Sequence, residues 1–277
     1  MKLGYVTICW GNTAHFGMGI VGHPVGITNI KDLVYVTNGS IAEALRDLAL
    51  AGYHGFELFD GDLLSYADRK GELRALLDET GLEMAGVYTG ANLIYPDILP
   101  EELWKIERVC ALAAEFGCAN LVVGAGARRS TGTVDADYTL LGAGLDQVMD
   151  VAAKHGLTAH YHPHLTTMVE SPAELDKIMS RSKINFCPDI AHLAAGGGDP
   201  VQAVRKYADR IKYVHLKDFV PDPFAFLPLG KGTVDIAGVV AVLDEHNYSG
   251  WVTIELDIYD GPAREGAEIS KAYLEAL

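Results

Sequence analysis

Residues 157–165 read LTAHYHPHL, which puts His160, His162 and His164 on alternate positions of a β-prone run. In an extended chain, alternate side chains share a face, so the three imidazoles point the same way. Such a face is either an accidental polar stripe or a metal or proton-transfer site. Three later stretches bear on the choice: CPDIAH (187–192), VHLKD (214–218) and IELD (254–257). Each ends a strand-like run in groups suited to a cation, namely Asp189, His215 and Glu255. Taken singly, His162 reads as a hydrogen-bonded core histidine, Asp189 as a turn cap and His215 as a salt-bridged neighbour of Lys217. Glu255 is hardest to explain as structure, because it ends a run that should be buried. An unpaired buried carboxylate costs several kcal/mol, roughly, and a shared cation offsets that cost. A mixed nitrogen and oxygen set suits a divalent transition metal.

The elements that must position these groups follow a repeated grammar. The stretches LALAGYHGFELF, LLDETGLEMAGVY, LAAEFGCANLVVG and VAAKHGLTAHYH each end an apolar-periodic helix in a glycine and then begin a short strand. Glycine fits the left-handed position that terminates a helix. Strands are expected near 3–9, 54–59, 83–88, 119–124, 157–162, 184–189, 211–216 and 251–257. Helical spacing is clear in IAEALRDLALAG (41–52) and EELWKIERVCALAAEFG (101–117). DPVQAVRKYADR opens on an Asp cap followed by Pro. Eight strands alternating with helices over 277 residues predict one (β/α)8 barrel spanning 1–277. No G-x-G-x-x-G follows the first strand, and the glycines of GAGARRS (124–130) lack phosphate-loop spacing.

Composition narrows the function. The chain is 49% apolar and 21% charged, as expected of a globular enzyme, with a formal net charge of -15 that disfavours nucleic-acid backbones. A nuclease role is therefore disfavoured. Cys9, Cys110, Cys118 and Cys187 have no C-x-x-C spacing and read as reduced and buried. No signal peptide or long apolar span is legible, so a cytoplasmic protein with no membrane partner is expected.

Across nearly its whole length the sequence resembles the xylose-isomerase-like barrels, and among them the inosose (2-keto-myo-inositol) dehydratases. The resemblance is carried by ICWGN (8–12), YHPHLTT (161–167), DIAHL (189–193), VHLKD (214–218), LGKGTVDI (229–236) and GWVTIELD (250–257). It implies His162, Asp189, His215 and Glu255 as ligands of manganese or cobalt, with iron, zinc or magnesium as alternatives. The wider superfamily has a glutamate where His162 stands, and the dehydratases have a third consecutive histidine where Pro163 stands.

The resemblance also implies a small polyhydroxylated keto substrate, whose α-proton a metal would acidify. His164 is the favoured base, and Glu57 could share that role or bind a hydroxyl. His192 and Lys217 are candidates for protonating the leaving oxygen, while Asp218 and Asp257 could orient ligands or substrate. Trp10 and Asn12 could stack on and hydrogen-bond the ring, and Phe224 and Phe226 could exclude water or form a contact in a homo-oligomer. Residues 13–36, with His15 and His23, form a long first loop that reads as a lid or a surface excursion. A β-eliminating lyase, a sugar isomerase or epimerase, and a non-catalytic sugar- or metal-binding barrel are the three functional readings.

Overall fold

The computed structural model describes residues 1–10, the backbone of 25–27, and residues 34–277. In chain order the elements are β1 (Lys2–Val6), a 3-10 turn (Thr7–Trp10), β2 (Val25–Ile27), β3 (Tyr35–Thr37), α1 (Ile41–Leu50), β4 (Gly55–Phe59), α2 (Asp60–Leu64), α3 (Lys70–Thr80), β5 (Glu83–Ala91) and α4 (Leu99–Glu115). They continue with β6 (Asn120–Ala125), α5 (Asp135–Lys154), β7 (Thr158–His162), α6 (Pro172–Arg181), β8 (Asn185–Phe186), α7 (Ile190–Ala195) and α8 (Pro200–Lys206). The last are β9 (Tyr213–Leu216), β10 (Asp218–Pro221), β11 (Phe224–Leu227), α9 (Ile236–Glu245), β12 (Trp251–Ile254) and α10 (Ala263–Glu275).

Eight parallel strands pair in the order β8-β7-β6-β5-β4-β1-β12-β9. Bridges from Phe186 to Ile211 and from Asp189 to His215 close the ring between β8 and β9. All eight expected strands are present, and the fold is a single (β/α)8 barrel. The four glycines that end the repeated helices, Gly52, Gly81, Gly117 and Gly156, have φ between 68° and 79°. Each is the left-handed stop that sends the chain into the next strand. Ser40 caps α1 by accepting from the Glu43 N–H, and Asp199 caps α8.

Several strands are shorter than their sequence patterns; β1 ends at Val6, where the 3-10 turn begins, and β9 starts at Tyr213. The run 184–189 is a strand only over Asn185–Phe186, because Pro188 has no N–H to extend the ladder. The run 251–257 leaves the sheet at Ile254, although the Glu255 N–H still donates to the Leu216 carbonyl at 2.9 Å. Two hairpins, β2–β3 and β10–β11, were not legible as strands.

Inside the barrel, Ala85, Val122, Cys187 and Tyr213 form a small buried cluster below the strand ends. Gly86 makes room for it, since a Cβ there would lie 2.7 Å from the Tyr213 hydroxyl oxygen. The larger core fills the layer between strands and helices. All four cysteines are buried and unpaired. Among the described residues, no helix is long and apolar enough to cross a membrane.

Candidate metal centre

The alternation of β7 sends Tyr161 outward, where its hydroxyl donates to the Ala125 carbonyl, and turns His160 and His162 into the barrel. The three histidines then do three different things. His160 lies in the lower layer, where its Nε2 donates to Asn120 Oδ1 at 3.0 Å and its ring sits 5.6 Å from that of Tyr213. Burial holds it neutral, with a pKa lowered to about 3. It is a hydrogen-bonded core histidine, the role that the sequence taken residue by residue offers for His162. His162 ends the strand fully enclosed, and neither ring nitrogen has a hydrogen-bond partner. His164 follows the turn at Pro163; its Nδ1 donates to the Leu165 carbonyl at 2.7 Å, which leaves Nε2 as an acceptor.

Around His162 the other strand ends converge. Its Nε2 lies 3.6 Å from Asp189 Oδ2 and 3.9 Å from Glu255 Oε2. One ligand-type atom from each of His162, Asp189, His215 and Glu255 lies within 4.8 Å of all the others. Asp189 divides its work between its two oxygens. Oδ1 caps α7 by accepting from the N–H groups of Ala191 and His192, while Oδ2 is buried without a hydrogen bond. Cap and candidate ligand are thus the same residue.

His215 is held from both sides, with Nε2 3.1 Å from Glu57 Oε2 and Nδ1 2.7 Å from Glu255 Oε2. Burial lowers its pKa, but the Glu57 and Glu255 carboxylates outweigh that and bring it up to about 10. Glu57 is fully buried against this imidazole. It therefore orients His215 and presents Nδ1 to the cluster, which is the second-layer support a metal-binding histidine needs. This placement explains Glu57 as an orienting carboxylate, not as a base facing substrate.

A resident cation completes the charge balance. Lys217 is fully buried, with Nζ 2.8 Å from Glu255 Oε1, 2.6 Å from Asp257 Oδ1 and 3.8 Å from Asp189 Oδ2. Burial penalises its charge, but Asp257 and Glu255 more than compensate and raise its pKa. Burial likewise opposes the Asp189 and Glu255 carboxylates, yet their cationic neighbours hold both well below the usual range. Burial lifts Asp257 to about 7 despite Lys217. The Lys217 ammonium also faces the Phe226 ring at 4.1 Å and donates toward His192 Nε2 at 3.4 Å. The His192 ring lies against His164, with centroids 3.8 Å apart and planes tilted by 44°.

These residues fit a divalent metal. His162 Nε2 and Asp189 Oδ2 are buried polar atoms without partners, each costing about 1–3 kcal/mol as they stand. Both face two further donors of the nitrogen and carboxylate type. A cation among the four would satisfy both orphaned atoms and would take the place of the proton that His215 Nδ1 shares with Glu255.

Other expected site residues fall elsewhere. Asn12 lies outside the described residues, as do His15, His23 and most of the 13–36 loop. Trp10 donates its indole N–H to Asp47 of α1 at 2.9 Å and meets Tyr5 edge-on, so it ties the end of β1 to a helix. Phe224 is 54% exposed on the β10–β11 hairpin and packs on Phe226, which is the aromatic that reaches Lys217. Asp218 accepts from the N–H groups of Phe219, Gly230, Gly232 and Val234, so it folds its own loop. One wall was missed altogether: Tyr88 sets its ring edge-on to His162 at 5.5 Å, beside Phe59 and Tyr35. Its phenol crosses Gly124, the β6 partner of His162, where any side chain would collide with it.

The model of the xylose isomerase-like TIM barrels matches residues 45–277. The chain belongs to that family. It is 28% identical to an inosose dehydratase of Clostridium beijerinckii over 280 aligned positions, covering 89% of this chain and 91% of that one. The inosose dehydratase of Geobacillus kaustophilus is 27% identical, with 85% and 86% covered. Among solved structures, the IOLI protein with a bound zinc atom superposes with a TM-score of 0.75 at 15% identity, covering 100% of this chain and 97% of that one. The 3-keto-D-glucoside 4-epimerase of E. coli gives 0.73 at 22% identity, with both chains fully covered.

Proposed function

We propose that this protein is a divalent-metal-dependent dehydratase of a keto-cyclitol such as 2-keto-myo-inositol. The observation that carries the reading is the buried convergence of His162, Asp189, His215 and Glu255, with orphaned ligand atoms, next to a histidine whose Nε2 is an open acceptor. The inosose dehydratase names of relatives aligned over most of the chain support the substrate class.

His162 Nε2, Asp189 Oδ2, His215 Nδ1 and Glu255 Oε2 are the atoms that would hold the metal. The bound metal supplies Lewis acidity, which makes the hydrogen beside a ketone carbonyl removable. His164 Nε2 takes that proton, its imidazole fixed in one tautomer by the Leu165 carbonyl. A positioned base of this kind contributes about 10²–10⁴-fold. The imidazolium then gives the proton to the hydroxyl one carbon further on, which leaves as water while the C–C double bond forms. Lys217, held by Glu255 and Asp257, stabilises developing negative charge. His192 is neutral, held so by burial, and accepts toward Lys217 on Nε2 while its ring lies against His164. Phe226 covers this group and keeps water from it.

The test is turnover of 2-keto-myo-inositol and related keto-cyclitols in deuterated water, with manganese, cobalt or zinc added to chelator-stripped protein. Loss of water with metal-dependent kinetics is expected. Deuterium uptake without loss of water would make the protein an isomerase or epimerase. Neither uptake nor loss, at full metal occupancy, would leave a binding barrel.

A further inference from the structure

The loop that carries His164 is shaped by a segment the mechanism has not used. Thr166 stands at φ 68°. A β-branched residue rarely adopts that left-handed backbone, and it persists only where surrounding contacts impose it. The contacts are specific. The Thr166 N–H donates to the Glu170 carboxylate, and Glu170 Oε2 is paired with Arg128 Nη2 at 2.8 Å. Arg128 Nε donates to the Thr167 carbonyl at 2.6 Å. Thr167 returns to the histidine, because its Oγ1 donates to the His164 carbonyl at 2.7 Å and its N–H donates to the same oxygen at 3.2 Å. A continuous chain of bonds therefore runs from Arg128 to the backbone of His164.

Arg128 belongs to GAGARRS, the glycine-rich stretch after β6. That stretch does not cradle an anion with its two arginines. Arg128 is committed to Glu170 and Thr167, and Arg129 to Asp137 and the Ile94 carbonyl. Gly126, at φ 105°, accepts the Met168 N–H on its carbonyl, and a Cβ there would press on Met168. The loop after β6 is thus seated against the loop after β7 at several points.

The geometry points to Arg128 and Glu170 as positioning residues. They hold Thr166 in its left-handed conformation and thereby fix where the His164 imidazole sits over His192. This inference rests on the assignment of His164 as the base. Arg128 is half-exposed, so its pair with Glu170 contributes little to stability. Its effect lies in placement, where a shift of about 1 Å can cost on the order of a hundredfold in rate.

The experiment uses metal-loaded protein and the elimination assay on 2-keto-myo-inositol. Arg128→Ala should lower kcat about ten- to hundredfold, with KM and metal content within about twofold of the parent. Arg128→Lys should lie between them, since it keeps the charge and loses the fork. Adding Thr166→Gly to Arg128→Ala should restore much of the lost kcat, because glycine adopts that φ without support. A role in bulk stability alone would show no such rescue. A readout independent of turnover is the imidazole nitrogen spectrum of zinc-loaded, ¹⁵N-histidine protein, with the His164 signal identified by its loss in His164→Ala. Arg128→Ala should replace the single Nδ1–H tautomer by a mixture. A kcat within twofold of the parent for Arg128→Ala, a double variant no faster than the single one, or an unchanged His164 signal would overturn the inference. Parental turnover by His164→Ala would instead overturn the base assignment, and the spectrum of Arg128→Ala would then decide the positioning role.

Discussion

At the scale of single residues, the site divides labour between the atoms of one side chain. Asp189 caps a helix with one oxygen and leaves the other buried without a hydrogen bond; Glu255 holds Lys217 with one oxygen and meets His215 with the other. This division sets the expected phenotypes. His162→Ala removes one of four converging ligands and should lose stoichiometric metal. His164→Ala should keep the metal and lower kcat by about 10²–10⁴-fold, read as metal content against single-turnover rate. Glu255→Gln should weaken metal binding strongly. It should also lower the melting temperature of the metal-free protein, because the buried Lys217 ammonium then keeps Asp257 as its main anionic partner. A variant with parental metal affinity would remove Glu255 from the centre. The four converging side chains were legible in the sequence because carboxylates and imidazoles at the ends of apolar runs demand compensation. The job of Glu57 was not, since nothing in GFELF says that its carboxylate meets a ring from β9.

At the scale of elements, the barrel was readable because its grammar is local. A glycine at positive φ stops each of four helices, and an apolar run follows. What escaped was set by contacts distant in sequence. The short β3 is built of β-prone Tyr, Val and Thr, but its place is set by two buried carboxylates of α2. Asp60 accepts from the Tyr35 N–H, and Asp62 from the N–H and hydroxyl of Thr37. Burial raises both, Asp60 to about 6 and Asp62 to about 7, against hydrogen bonds that pull the other way. Their folded pKa values exceed the unfolded value near 3.8, so folding takes up protons between about pH 4 and pH 7. The contribution of these groups is most favourable below that window and is lost as pH rises through it. Asp62→Asn should therefore flatten the dependence of unfolding free energy on pH across that range, measured by denaturant titration at several pH values. An unchanged slope would mean that Asp62 is ionised throughout. Trp10 and Phe224 illustrate the converse limit: an aromatic near a strand end packs on whichever element comes to it, here α1 and the β10–β11 hairpin.

At the scale of the whole molecule, four strand ends from distant parts of the chain meet at one point, so a cation bound there ties the barrel together. Metal that binds only the folded state stabilises it by about 2.7 kcal/mol at a hundredfold excess over its Kd. Chelation should therefore abolish turnover and lower the melting temperature together, and readdition of manganese or cobalt should restore both. Full activity in metal-free protein would exclude the proposed mechanism. The Tyr213 side chain, seated over Gly86, has a further consequence. With Ala85, Val122, Cys187 and the His160 ring, it fills the barrel interior beneath the four converging side chains. A keto-cyclitol that reaches the four side chains from the strand-end side then leaves by that side, and product should compete with substrate for the same place, read from initial rates at several product concentrations.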